Sequence, residues 1–513
     1  MPVKGKVYLV GAGPGDPKLI TQKGLELLKV ADAVIYDDLI SPHLLRHCPK
    51  ETVLVYAGKK SGRPSLSQQT INQTLAALAN EHEYVIRLKG GDSMIFSRGA
   101  EECLHLNKSG VEFEIVPGIT SAIGSAAYAG IPLTERKHSS SIAFVTAYRA
   151  RGSKQDKGYW QQLIKAVDTL CVYMATSRLV DITNDIAQIQ SLKKLPIAVI
   201  ERGTQTKQKS VYGNVSTICD LVKLKKIKSP AMVIIGKSVS LHNHLSWFEN
   251  KPLFGKRIVV TRAAKQSMQL VTALEGMGAE VLNLPTIHIG PPKDYASLDQ
   301  AIKNIEKYQW LLFTSVNAVE FFFNRYKGKF KKDSRHLYHN KIAAIGPQTS
   351  KALLNYGLQT DLIPELHTSV GVVKAFNDMP ALNQKTILLI RPESAPIELN
   401  RQLKKSFKSV ATAHAYRNTK ATQQMVKSLS FLEECSPDMI TFTSASTVKH
   451  LFSSLGKGRV LAWLGNAKCI SIGPMTTSAI KAAGLNNIHE AKQATITSML
   501  EALDISSIKD EVK

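Results

Sequence analysis

The stretch VYLVGAGPGDPKLITQKGLELL, residues 7–28, runs from an apolar strand through a glycine-rich turn into a helical pattern. A strand that enters a helix through glycines marks an α/β layer with a ligand-binding edge at the strand's carboxyl end. The dinucleotide fingerprint needs glycine at its first, third and sixth positions. Here the first two are Gly11 and Gly13, but the sixth is Asp16, a carboxylate where a pyrophosphate would meet the helix start. No Gly-Lys-Ser/Thr follows, which excludes a phosphate-cradling P-loop. Alone, GAGPGD is as consistent with a plain strand-to-helix turn as with a functional one.

Working outward, short runs of Val, Ile and Leu ended by Gly, Pro or Asp recur: YVIRLKGGD, FEIVPGIT, PIAVIERGT, PAMVIIGKS, KRIVVTRA, KTILLIRPE and DMITFTSAS. They alternate with helical patterns, and this predicts an α/β protein of parallel sheets covered by helices. At 513 residues and 44% hydrophobic content, the length suggests about three or four units of ordinary domain size. Asn243 to Gly255 carry Trp, Pro, Gly and polar residues with little periodicity, so the main boundary is expected near residue 250. The second half repeats itself. WLLFTSVNAVEFFF (310–323) with KIAAIGPQTSKALLNYGL (341–358) returns as MITFTSASTVKHLF (439–452) with KCISIGPMTTSAIKAAGL (468–485). Each copy reads strand, FTS turn, helix, strand, IGPxT turn, helix, which predicts a duplicated pair of α/β lobes. Both copies set Ser/Thr hydroxyls and backbone N–H groups at strand carboxyl ends, where open α/β sheets bind ligands.

The formal net charge is +25, and a basic surface concentrates anions. The basic residues are spread over both halves, and the densest run, LVKLKKIKSP at 221–230, reads as a solvated helix end. With no zinc-finger, RNA-binding or basic-zipper pattern, a small polyanionic substrate explains the charge better than nucleic acid does. The amino terminus enters a strand directly without a secretory pattern, and no apolar run is long enough to span a bilayer, so a cytoplasmic location is expected. Six scattered cysteines show no CxxC spacing and predict neither a zinc site nor a disulfide framework. His43 and His47 stand at i,i+4 without a third ligand, so no metal is predicted. No Ser-His-Asp or Cys-His arrangement stands out, and KHSSS at 137–141 reads as loop.

The opening turn belongs to a longer series: YDDLIS (36–41), AGKKSGRPS (57–65), RLKGGDSMIFSRGAEE (87–102), VPGITSAIGSAAYAGIPLTER (116–136), VYMATS (172–177) and PIAVIERGT (196–204). In this order and spacing, residues 1 to about 245 resemble the tetrapyrrole methylases, and among them the uroporphyrinogen-III C-methyltransferases. The resemblance implies a two-lobed methylase fold, with lobes about 1–116 and 117–245, that holds S-adenosylmethionine folded between them. It assigns the donor to Pro14, Gly90, Gly91, Asp92, Ile95, Thr120, Ser121, Met174 and Gly203. Ala175 and Arg202 depart slightly from the family pattern beside those positions. The resemblance further assigns a base to Asp37 and an acid to Lys59; without it, Asp37 reads as a cap for the following segment and Lys59 as a solvated charge.

After a linker at 246–254, GKRIVVTRAA (255–264), the paired FTS and IGPxT turns and LLIRPESA (388–395) resemble the uroporphyrinogen-III synthases over 255–505. That resemblance implies two α/β lobes joined by a two-stranded ladder, here NLPTIHIG (283–290) with TAHAYRNT (412–419). The middle lobe would span about 290–412, and the other lobe 255–283 plus 419–505. Tyr416 matches the family's proposed proton donor, and Arg262, Ser315, Thr349, Ser444 and Thr477 are candidate substrate contacts. Each hydroxyl reads equally as a helix N-cap, and the two roles can coexist.

Together the resemblances imply a bifunctional enzyme. It would cyclise hydroxymethylbilane to uroporphyrinogen III and methylate that ring twice to precorrin-2, on the route to sirohaem and cobalamin. The substrates would be tetrapyrrole polycarboxylates, with neither specific nucleic acid nor membrane as partner. A homodimer through the methylase half and a separate precorrin-2 dehydrogenase and chelatase are also implied. The rival readings are a methylase acting on another tetrapyrrole, a second half that only binds a tetrapyrrole, and a nucleic-acid-binding protein with steep salt dependence.

Overall fold

The computed structural model describes residues 5–58, 66–148, 158–262, 264–420 and 436–503. They form two compact units: one runs to Lys256 and takes in Leu274–Glu280, the other holds Arg257–Ala273 and the chain from Val281 onward. Among the described residues, no helix is long and apolar enough to cross a membrane.

The first unit opens with β1 (Lys6–Gly11), β2 (Ala33–Tyr36), β3 (Val53–Tyr56), β4 (Tyr84–Lys89) and β5 (Glu112–Val116). They pair in the order β3-β2-β4-β1-β5, all parallel. The period of two explains this layer. Val7, Leu9, Ala33, Ile35 and Val85 enter one apolar cluster, while Val10, Val34, Ile86 and Leu88 enter another. A sheet apolar on both faces must be covered on both. Because β1 lies between β4 and β5, the turns after these three strands meet at one carboxyl edge.

The second layer of this unit corrects the expectation of parallel pairing throughout. β6 (Ile142–Thr146), β7 (Thr169–Tyr173), β8 (Pro196–Glu201), β9 (Lys209–Asn214) and β10 (Ala231–Gly236) take the order β6-β7-β10-β8-β9. Only β6 and β7 run parallel; the pairings of β10 with β7 and β8, and of β8 with β9, are antiparallel. Runs such as PIAVIE and AMVIIG report burial on both faces, and burial is blind to strand direction. The stretch read as a linker is built into this unit. Leu253 and Phe248 are buried, Trp247 Nε1 donates to the Ala127 carbonyl at 2.9 Å, and Gln208 and Ser210 both donate to Glu249.

The second unit contains β11 (Arg257–Val260), β12 (Glu280–Asn283), β13 (Ile287–Gly290), β14 (Trp310–Phe313), β15 (Lys341–Ala344), β16 (Thr386–Pro392), β17 (Ser409–Lys420), β18 (Met439–Phe442), β19 (Lys468–Ser471) and β20 (Ile488–Glu490). One sheet has the order β13-β17-β16-β14-β15 and the other β12-β11-β18-β19-β20. The repeat is visible as matching parallel pairs, β14 with β15 and β18 with β19, each first strand feeding a helix through its FTS turn. β13 pairs antiparallel with the far end of β17, Ile287 opposite Lys420 and Gly290 opposite Arg417. Between Arg391 and Pro392 the β16–β17 register slips by one residue.

Candidate active sites

In the first unit the glycines are there to let main chain meet main chain. Gly13 and Gly91 exchange backbone hydrogen bonds, 3.1 Å from Gly13 N to Gly91 O and 2.8 Å from Gly91 N to Gly13 O. A Cβ on Gly118 would lie 2.4 Å from Gly91 O and 2.7 Å from Gly11 Cα, closer than any side chain could sit. Asp92 fixes the same junction, its carboxylate accepting from Met94 N at 2.8 Å and Gly118 N at 2.9 Å.

The second layer reaches this edge through the helix Ser121–Tyr128. Thr120, buried just before it, shares a 2.6 Å hydrogen bond with the Tyr173 hydroxyl. Ser121 faces Gly91, whose Cβ would stand 3.5 Å from the Ser121 Oγ. Pro14 packs on Gly124, where a Cβ would come within 2.4 Å of its ring, and Gly203 packs on Ser125, where a Cβ would come within 2.1 Å of the Oγ. Met174, half-exposed at φ 55°, follows Tyr173, and the Phe96 ring lies 4.8 Å from the Tyr173 ring. Ile95 and Phe96 are also exposed. Pro14, Gly91, Asp92, Thr120, Ser121 and Gly203 therefore gather along one seam between the two layers, and Ile95 and Met174 are the chain neighbours of the Phe96–Tyr173 ring contact. Gly90 faces the other way, against Leu39, its Cβ position 2.7 Å from the Leu39 Cβ.

Backbone strain concentrates on the same turns. Of the eight non-glycine residues with positive φ among those described, Phe96, Arg98, Met174, Arg202 and Thr204 belong to them. Such conformations are unfavourable and persist where surrounding structure imposes them, as at binding sites.

Leu39 leads to Asp37, at the end of β2. Its carboxylate accepts from Leu39 N at 3.1 Å, the capping contact expected of it, and also stands 3.7 Å from Arg87 Nη2. Burial raises the Asp37 pKa above the ordinary carboxylate value, and the Arg87 charge opposes that only in part. Arg87 and Lys89 alternate on β4 and both bind the fully buried Glu102, at 3.2 and 2.9 Å. Sequence reasoning missed this cluster, although charges at alternate positions of a central apolar strand were a legible signal. Lys59 lies outside the described residues.

The role of Asp16 was also missed. Its backbone N–H donates to Thr204 Oγ1 at 2.9 Å, and its carboxylate caps the following turn and accepts from the Tyr128 hydroxyl at 2.8 Å. The carboxylate that spoils a dinucleotide site joins the two layers.

In the second unit the candidates divide between two sheet edges. Ser315 caps the helix Val316–Gly328, accepting from Ala318 N at 3.0 Å, and its Oγ lies 3.0 Å from the Tyr416 hydroxyl. Burial raises the Tyr416 pKa, countered by Ser315, Asn317 and the Arg391 charge. Thr349 is buried in the helix Pro347–Leu354. At the other edge, Ser444 caps Ala445–Leu455 and Thr477 bonds Ser471 and Glu490. Arg262 follows β11, its pKa lowered by burial. Among the described residues no group of acidic, histidine or cysteine side chains could hold a metal ion.

Residues 6–219 match the tetrapyrrole (corrin/porphyrin) methylases, and residues 268–501 match uroporphyrinogen-III synthase HemD. A porphyrin biosynthesis protein HemD from Ruminiclostridium josui is 34% identical over 503 residues, 97% of each chain. The chain belongs to the tetrapyrrole methylases, fused to a uroporphyrinogen-III synthase. The methylase half is also 46% identical to a uroporphyrinogen-III C-methyltransferase from Priestia megaterium over 236 residues, 46% of this chain and 99% of that one. Among solved structures, the uroporphyrin-III C-methyltransferase of Thermus thermophilus complexed with S-adenyl homocysteine is 36% identical, covering 46% of this chain and all of that one, with a TM-score of 0.39. Both halves are thus enzymes of tetrapyrrole biosynthesis, one a methyltransferase and the other a synthase.

Proposed function

We propose that this chain cyclises hydroxymethylbilane to uroporphyrinogen III and then methylates that ring twice with S-adenosylmethionine, giving precorrin-2. The observation that carries the reading is the seam where Gly91, Asp92, Thr120 and Ser121 converge on close-packed backbone. The residues present fit the donor. Gly91 leaves room beside Ser121, and exposed Ile95, Phe96 and Met174 offer apolar surface that a folded adenosyl group would cover. When bound, S-adenosylmethionine supplies an electrophilic methyl on a sulfonium, so the protein mainly has to align donor and acceptor away from water. Pro14, Gly91, Thr120, Ser121 and Gly203 hold and orient it. Methylation of a pyrrole carbon leaves a cationic ring that must shed a proton. Asp37, a carboxylate of raised pKa, accepts that proton, with the Arg87 guanidinium favouring its ionised form.

In the second half, loss of water from the hydroxymethyl end gives a reactive azafulvene, and ring closure with inversion of ring D follows. Holding the chain curled by its carboxylates supplies most of the effect. Tyr416 donates the proton that leaves with the hydroxyl, and Ser315, hydrogen-bonded to it, orients the phenol. The net charge of +25 suits substrates that carry eight carboxylates. The protein acts in the cytoplasm as a homodimer through the methylase half, and a separate dehydrogenase and chelatase consume its product. A coupled assay from hydroxymethylbilane tests the reading: type III ring without donor and a doubly methylated product with it are expected. Type I ring alone, or a product with no added methyl, refutes the corresponding half.

A further inference from the structure

Arg391 is the last residue but one of β16, next to β14, and Thr314, just after β14, donates to the Ile390 carbonyl from its backbone N at 3.2 Å and from its hydroxyl at 3.1 Å. The register slip after Arg391 brings Tyr416 opposite Pro392, so Arg391 and the hydrogen-bonded pair Ser315 and Tyr416 stand at one carboxyl edge of the sheet. Bulges of this kind re-aim side chains beside functional sites. Arg391 is only 7% exposed. Its Nη2 donates to the Pro396 carbonyl at 2.8 Å, and its buried Nε has no hydrogen-bond partner among the described residues. Among the described residues no carboxylate lies within ion-pairing distance of it.

A buried guanidinium without a counter-ion is unfavourable, because it has lost water and gained no opposite charge. The helix Val316–Gly328 adds to the imbalance. It begins at the same edge, and its N-terminal N–H groups and dipole also favour an anion. We propose that Arg391, with Ser315 and the start of this helix, forms a carboxylate subsite that takes an acetate or propionate side chain of the linear tetrapyrrole. The inference rests on the synthase reading above and adds to it a binding residue. An arginine there fixes the substrate's rim beside Tyr416, so that the phenol faces the end of the chain that loses water. A substrate carboxylate satisfies this charge, and binding carries the compensation.

The test uses the full chain with hydroxymethylbilane as substrate. Loss of one charge-assisted pair predicts a KM about ten- to a hundredfold higher in Arg391→Met, with methylation of supplied uroporphyrinogen III unchanged. Arg391→Lys, which keeps the charge, should recover part of the affinity. Removing an unpaired buried charge should also raise the unliganded melting temperature of the second unit by about 2–4 °C, whereas a purely structural arginine would lower it. Fluorescence titration with uroporphyrin III reads binding apart from turnover and should weaken by the same factor at one class of site. A KM and a uroporphyrin affinity both within about twofold of the parent overturn the proposal, whatever the melting does. Should Arg391→Met not fold, Arg391→Lys decides by the same two quantities. Failure of the parent chain to make the type III ring would count against the synthase reading instead, and the titration would still judge Arg391.

Discussion

The Tyr128 hydroxyl donates to Asp16 Oδ2 at 2.8 Å, joining the helix after PGITSA to the glycine turn 112 residues earlier. Burial and this bond to a carboxylate both raise the Tyr128 pKa, so the phenol remains protonated and the link persists at all moderate pH. Tyr128→Phe keeps the ring's contacts with Trp247 and Phe248 and removes only the bond. A loss of about 1.5–3 kcal/mol in the first unit is expected, measured by denaturant unfolding. A variant as stable as the parent would show the link to be incidental.

Asp37→Asn should lower methyl transfer by about a hundred- to ten-thousandfold, while S-adenosylhomocysteine still binds with parent affinity. The pH profile carries the sign. A base must be ionised, and burial raises the Asp37 pKa, so the rate should fall with decreasing pH at values above the ordinary carboxylate range. Intact turnover in the variant, or an acid limb at the ordinary value, would remove Asp37 from the role.

Gly118→Ala places a methyl group against backbone, 2.4 Å from Gly91 O, where no side chain can move aside. Overpacking of this kind destabilises by about 1–3 kcal/mol. Because the displaced atom belongs to the GGD turn, the heat of S-adenosylhomocysteine binding should fall in the same variant. Calorimetry showing full affinity would mean that the three turns are not the donor's cradle.

Ser315 and Ser444 occupy equivalent places in the repeat and both cap helices. Ser315 alone of the two bonds a tyrosine, whereas Ser444 meets Ser446 at 2.9 Å. Each serine-to-alanine change should cost about 1 kcal/mol of stability through the lost cap. Only Ser315→Ala should also slow ring closure, because only it removes a hydrogen bond to Tyr416. Equal synthase rates in the two variants would contradict this division.

The methylase motifs were legible because each is a local solution: a glycine that must admit backbone, as at Gly91 and Gly118, announces itself without knowledge of its partner. The FTS repeat was legible for a similar reason, since duplicated strand-to-helix turns keep their caps. Asp16, Glu102 and Arg391 were not read, because each acts on residues far away in sequence. Their pairings with Tyr128, with Arg87 and Lys89, and beside Tyr416 exist only after folding.

The sequence by itself determined the α/β layers and the two families, since period, glycine placement and motif order are properties of neighbouring residues. Tertiary structure alone decided the antiparallel run of the second sheet, the burial of Thr349 and the lack of a counter-ion for Arg391 among the described residues. The physical reason is that burial and charge pairing depend on what lies across space, and apolar runs specify that they are covered but not by what or in which direction.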